Sequence, residues 1–188
     1  MAIDHPPITR RQWTILVVYP FVPLIVSLII TFVAGIPPIE VALPSVPIVA
    51  FAAISVVLIT ANHTWVMTHT EITRARYGLF ASPEEAEEAD RDLPPTKHPE
   101  LQRSHAAHRN LSENTVIFAL ALPIFVLLTP PNLLAGLWLV GYGAARLGHT
   151  FFFLSGNASI RGVFMTLSLI ALYGIVLYPA LSSLFMLV

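Results

Sequence analysis

The sequence predicts an all-α integral membrane protein, a bundle of five membrane-spanning helices, and three observations carry that prediction. Of 188 residues, 55% are hydrophobic and only 11% charged, against about a quarter charged in an ordinary soluble domain. The charges are also clustered. Of 21, 14 lie between Glu71 and Arg109, which leaves Asp4, Arg10, Arg11, Glu40, Glu113, Arg146 and Arg161 for the rest of the chain. Finally, the apolar runs around that polar stretch are each long enough for a span of about 20 residues.

The first span is Trp13–Gly35, 23 residues without a charge behind Arg10 and Arg11. A basic start before an apolar run is shared with signal peptides, but this run exceeds their core of about 7–15 residues, so it reads as a retained helix. Pro20 and Pro23 are placed to kink it. The proline-rich connector IPPIEVALPSVP follows, where each proline pushes the residue before it away from helical geometry. It reads as a stiff loop outside the membrane.

Ile48–Arg76 is the second span, apolar through Thr60 and then increasingly polar with Asn62, His63, His69, Glu71, Arg74 and Arg76, so its end is expected to be wet. In ASPEEAEEADRD, Ser82 is placed as a helix cap, Pro83 suits the first helical position and Glu85 completes a capping box. A short acidic surface helix is expected there, with Glu84, Glu85, Glu87 and Glu88 on a solvated face, ending before Pro94 and Pro95.

The third span is Glu100–Leu128, ELQRSHAAHRNLSENTVIFALALPIFVLL, a polar helix start that runs unbroken into an apolar end. As one helix behind Pro99, its 29 residues extend roughly 43 Å, more than the ~30 Å of a bilayer core. Counted back from Leu128, Arg109 falls near the opposite boundary and Glu113 about one turn inside it. Pro123 is positioned to bend the helix, and TPPN at 129–132 makes a turn. Leu133–Leu154 is the fourth span, with Arg146 and His149 one turn apart. SGNASI then separates it from the fifth, Gly162–Val188, with Arg161 at its entrance. Residues 1–45 form an added span and connector, and residues 46–188 a four-helix domain enclosing the polar loop 77–99.

Charge sets the expected topology. With the N-terminus in the cytoplasm, Arg10, Arg11, Arg74, Arg76, Arg91, Lys97, Arg103, Arg109 and Arg161 are all inside and the outer loops carry no Lys or Arg, as the positive-inside rule requires. The host membrane is a bacterial inner membrane or the endoplasmic reticulum, according to source.

That topology brings Arg74, Arg109, Asn110, Glu113, Arg146, His149 and Arg161 to one depth. Arg109 and Glu113 are four apart and Arg146 and His149 three apart, so each pair shares a helix face. Ionisable groups within a membrane are costly and mark functional sites. The bland reading is a set of ion pairs that fix packing, Arg109 with Glu113 and Arg146 with a neighbour. The excess of arginines over carboxylates favours an anionic guest. His63 and His69 read as polar packing or interface residues, and His105 and His108 as solvated.

Several function classes are excluded. A net charge of −1 gives no basis for nucleic-acid binding, which rests on Lys and Arg neutralising phosphates. With no cysteine, disulfides, thiolate metal sites and a protein thiol nucleophile are absent, and no metal is expected. Any thiol chemistry must use a substrate's sulfur.

AAHRNLSENTVIF followed by ARLGHTFFFLSGNASIRG, with RARYGLFASPEEA at the loop entrance, resembles the membrane-associated proteins in eicosanoid and glutathione metabolism (MAPEG), in particular the branch of microsomal glutathione transferase and microsomal prostaglandin E synthase. The resemblance runs from the second span to the C-terminus. It implies a MAPEG-like four-helix bundle with one additional N-terminal helix, assembled as a homotrimer with glutathione as co-substrate held between subunits near the cytoplasmic face. It also implies that Arg74, Arg109, Asn110, Glu113 and His149 hold glutathione, that Arg146 supports them, and that Arg161 lies beside the sulfur. Where the prostaglandin synthase branch carries tyrosine, serine and tyrosine, this chain has Phe153, Gly162 and Met165, which argues against prostaglandin isomerisation. Glu85 stands where that branch has an aspartate, but its capping-box position explains it here.

Glutathione brings two carboxylates, an ammonium and a thiol, complementary to several guanidiniums and one carboxylate. A nearby cation and a helix N-terminus both lower a thiol pKa, so Arg161 and the N–H groups around Gly162 are expected to stabilise the thiolate. The expected activity is a glutathione transferase or peroxidase acting on lipophilic electrophiles or hydroperoxides from the bilayer. Competing readings are a non-catalytic lipid-binding or scaffold protein of the same fold and a small membrane transporter.

Overall fold

Two long helices that run side by side and then diverge in partners form the spine of the protein. In the computed structural model, which describes residues 10–36, 42–88 and 98–185, these are α3 (Val46–Tyr77) and α5 (Pro99–Leu127). The expectations placed on Asp4, Glu40, Arg91, Lys97, Pro94 and Pro95 lie outside the described residues, as do the side chains of Arg10 and Arg11. Every assigned element is helical. The remaining ones are α1 (Arg10–Val18), α2 (Phe21–Ala34), α4 (Pro83–Glu88), α6 (Asn132–Ala135), a π-helical segment (Gly136–Val140), α7 (Gly141–Leu154) and α8 (Ala158–Phe185).

α3, α5 and α8 are each long and apolar enough to cross a membrane, and the protein is an all-α membrane protein. The first and fourth expected spans are segmented. The first breaks at Tyr19 and Pro20 into α1 and α2, because proline lacks the N–H of the helical ladder and clashes with the preceding turn. The fourth runs without interruption from Asn132 to Leu154 but passes through the π-helical turn. The fifth starts at Ala158, four residues before the expected Gly162, because Asn157 caps it: its Oδ1 accepts the Ile160 N–H at 3.1 Å. A short polar side chain at a helix start satisfies an otherwise free donor.

α7 packs most broadly on α8, α3 packs on α5 and α7, and α5 also touches α8. These four make the bundle. Its core is apolar and aromatic: Phe118 stacks on Tyr142 at 4.7 Å, Phe125 meets Tyr178 edge-on at 5.7 Å, and Trp138, Leu139 and Ile175 are almost fully enclosed. Two glycines allow the close approach. A Cβ at Gly174 would lie 2.4 Å from the Trp138 ring, and one at Gly148 2.3 Å from the Phe164 ring.

α2 lies outside this bundle against α8. It buries Pro23, Ser27 and Thr31, four apart and therefore on one face, and small side chains let helices in a bilayer approach closely. Tyr19 Oη, just before α2, shares a 2.9 Å hydrogen bond with Thr166 Oγ1 on α8, and Phe32 meets Phe185 edge-on at 6.2 Å.

The polar end is closed by local chemistry. α3 stops at Gly78, φ +62°, a left-handed conformation that glycine adopts without a Cβ penalty, and Leu79 N–H returns to Arg74 O at 2.9 Å. α4 carries the expected cap in a shifted form: Ser82 Oγ accepts the Glu85 N–H at 3.4 Å, while Glu85 Oε2 accepts the N–H of Ala81 at 2.8 Å rather than that of Ser82. Its carboxylates are exposed, and hydrogen bonds from its own backbone and from Ser82 hold the Glu84 carboxyl below its ordinary range. The rings of Tyr77 and His98, which flank the loop, lie 3.9 Å apart, tilted by 35°.

Candidate functional site

The expected site residues divide into an inner group and an outer group, and helix faces decide the division. α5 turns Leu101, Ser104, Ala107, Leu111, Phe118 and Phe125 inward, so Arg109 and Glu113 fall on the opposite face and are exposed. Arg109 lines a shallow hollow of about 300 Å³ with Gln102, His105 and Ala106. The Arg109–Glu113 ion pair of the bland packing reading does not form. Among the described residues the ion pair is Arg74 Nη1 with Glu71 Oε1 at 2.7 Å. Arg74 Nη2 also reaches His105 Nε2 at 3.4 Å.

The inner group gathers where α5, α7 and α8 meet. Arg146 on α7 is 0% exposed, and its Nη2 donates to Asn110 Oδ1 at 2.8 Å and to the Asn110 carbonyl at 3.1 Å. Its Nη1 points to Met165 Sδ on α8 at 3.6 Å, and Nε has no partner. The Asn110 carbonyl also accepts from Asn114 Nδ2 at 2.8 Å, and the Asn114 carbonyl from Tyr142 Oη at 3.0 Å, so a chain of polar contacts joins α5 to α7. No carboxylate takes part. The neighbour that the bland packing reading gave Arg146 is an amide.

His149, one turn along from Arg146 and 4% exposed, lies edge-on to Phe153 at 5.6 Å. On the same ring rests Arg161, its Cζ 4.5 Å from the centroid, within reach of a cation–π attraction. Arg161 is in the first turn of α8, half-buried. Because α8 begins at Ala158, the Gly162 N–H lies inside the helical ladder, and the Arg161 N–H is bonded to Asn157 O at 3.1 Å. The expectation that N–H groups around Gly162 are free to hold a thiolate is therefore corrected. What Arg161 offers is its guanidinium.

Two of the three positions singled out in the sequence touch these arginines, Phe153 beneath Arg161 and Met165 beside Arg146. Gly162 is open on its side-chain side, with nothing within 4 Å of an added Cβ. Neither a phenyl ring nor a thioether donates a proton.

The histidines behave as expected for packing. His63 Nε2 bonds Thr115 Oγ1 at 3.1 Å and His69 Nδ1 reaches Ser104 Oγ at 3.4 Å, while His105 and His108 are exposed. Asn62, expected on the wet side, is instead 0% exposed, with both side-chain polar atoms unpartnered. Thr150 Oγ1 is buried without a partner too. The sequence signal for both was their place on faces otherwise filled by Ser55, Ile59 and Val66 or by Tyr142, Arg146 and His149.

Residues 49–181 match the MAPEG family, more than two thirds of the chain. The protein belongs to the MAPEG family. Its matched part contains the whole inner and outer groups, and α1 and α2 lie outside it. A search of curated proteins returns no match. The MAPEG family includes glutathione transferases and eicosanoid synthases, so membership agrees with a role in glutathione or lipid metabolism.

Proposed function

We propose that this MAPEG protein is a glutathione-dependent membrane enzyme, a transferase or peroxidase acting on lipophilic electrophiles or hydroperoxides, and that it belongs to the glutathione transferase and prostaglandin E synthase-like branch. The observation that carries the reading is Arg161: a half-buried guanidinium held over the Phe153 ring beside His149, with no carboxylate paired to it among the described residues. A cation so placed lowers the pKa of a thiol brought to it. Arg146, enclosed without a carboxylate, adds a second positive charge at the same junction.

The thiol of bound glutathione gives up its proton, and the thiolate attacks an electrophilic carbon to form a C–S bond while the leaving group departs. With a hydroperoxide it attacks the outer oxygen, the alkoxide takes up a proton to leave as an alcohol, and a second glutathione converts the sulfenic acid to disulfide and water. Phe153 and Met165 place no hydroxyl where the synthase branch has tyrosines, so thiolate stabilisation falls to the arginines. Arg109 and Glu113, exposed and unpaired, fit a site completed by a neighbouring subunit, because a charge at membrane depth needs a partner. Arg109 is then available to a glutathione carboxylate and Glu113 to its ammonium, in a homotrimer whose N-terminus is cytoplasmic.

Calorimetric titration of the detergent-purified full chain with glutathione, followed by turnover on a panel of electrophiles and hydroperoxides, tests this reading. Binding with conjugation or peroxide reduction is expected. Absence of binding by the intact oligomer overturns it, and binding without turnover on any of the panel leaves the scaffold reading in its place.

A further inference from the structure

One cavity bears no relation to the arginines. It lies between α2 and the outer surface of the bundle, has a volume of about 430 Å³, and is walled by Val26 and Ile30 of α2, Trp138 of the π-helical segment, and Leu167 and Ile170 of α8. That volume falls within the ~300–1,000 Å³ typical of ligand pockets. The polar side-chain atom among its lining residues is Trp138 Nε1, and that ring is laid against Gly174, whose added Cβ would come 2.8 Å from Nε1.

Such a space cannot hold water well, since a buried water needs two to four polar partners. Left empty, its walls forfeit their dispersion contacts. Phe164 fills one end, packed against Gly148 and stacked on Phe152 at 5.4 Å. The outer wall is held as well: the Tyr19–Thr166 hydrogen bond joins the start of α2 to α8, and α2 packs there with Ser27 and Thr31 buried, their hydroxyls without partners. The medium around these apolar helices is hydrocarbon, and nothing on the walls could recognise a headgroup. We propose that this cavity binds one acyl chain of a membrane lipid, clamped between α2 and the bundle with its headgroup outside. The chain fills the seam between α2 and the bundle and secures α2 to the four matched helices. The site is independent of the glutathione reading.

Trp138 reports on it directly. In a full chain carrying Trp13→Phe and Trp65→Phe, Trp138 is the remaining tryptophan. Reconstituted in phosphatidylcholine brominated at mid-chain, its fluorescence is expected to be quenched although the residue is only 1% exposed. Two fillings should abolish most of that quenching. Gly141 lines the cavity and an added Cβ there meets nothing within 4 Å, so Gly141→Leu is chosen to fill the space, and Ala144→Leu, at a second lining residue, to fill it from another position. Far-ultraviolet circular dichroism and oligomer mass are followed in parallel. Native mass spectrometry should show a phospholipid retained by each wild-type protomer and lost from both variants. No quenching in the starting chain, or quenching undiminished in either folded variant, overturns the proposal. If a neighbouring protomer covers the cavity instead, Trp138 stays unquenched and Gly141→Leu lowers the oligomer mass.

Discussion

Arg146 Nη2 donates to both Asn110 oxygens, Oδ1 at 2.8 Å and the backbone carbonyl at 3.1 Å, and this amide answers a fully enclosed guanidinium that no carboxylate meets. A buried charge is tolerated when its hydrogen bonds are made, and it is strongly destabilising when one is withdrawn.

Asn110→Ala removes the shorter of the two bonds while leaving the carbonyl. A hydrogen bond to a charged group contributes about 1.5–3 kcal/mol, so a loss of that order is expected. It is read as a lowered unfolding midpoint in detergent. An unchanged midpoint would mean that Arg146 finds another acceptor.

Arg161 separates binding from chemistry. Arg161→Ala should still bind glutathione, but a cation beside a thiolate lowers the thiol pKa, so its removal should shift the bound thiol to a higher titration midpoint. Turnover should fall by roughly ten- to a hundred-fold, from 1.5–3 kcal/mol at about tenfold per 1.36 kcal/mol. Ultraviolet absorbance of the thiolate during a pH titration checks the shift, and identical curves for wild type and variant count against the role. Glu113→Ala, by contrast, should raise the glutathione dissociation constant first.

Gly174 is a packing position without a part in the chemistry. A methyl there would meet the Trp138 ring at 2.4 Å, so the buried ring would have to shift from its place against α8. Overpacking of this kind costs about 1–3 kcal/mol. Gly174→Ala should lower thermal stability with glutathione affinity in the folded fraction unchanged.

If the chain crosses five times, its ends lie on opposite sides of the membrane. A tag at the N-terminus should be protected with the cytoplasmic face and one at the C-terminus accessible from the other, by labelling of sealed vesicles of known orientation. Both tags on one side would mean that the segmented α1–α2 unit does not cross.

Much of the fold was legible because it follows from local rules. An uncharged run is apolar wherever the chain takes it, so α3, α5 and α8 could be located from composition, and Ser82–Pro83 and Pro20 mark a helix start and a break through their own backbone preferences. The start of α8 was misplaced because serine, glycine and asparagine before Arg161 read as a loop. Asn157 turned out to be a cap, and a cap and a loop residue have the same composition. The π-helical turn left no mark in residue type.

The sequence by itself determined the membrane class, the helices' rough extents, the family motifs and the clustering of charge between Glu71 and Arg109, since these depend on residue identity and spacing along the chain. Only the tertiary structure decided which charges meet. Arg109 and Glu113 share a face, but the rotation of α5 turns that face outward. Asn110, next in sequence to Arg109, lies about 100° further round the helix and so reaches Arg146 on another helix. The cavity under α2 is likewise a product of packing: its walls come from three separate stretches of chain, and no one of them is shaped to enclose a space.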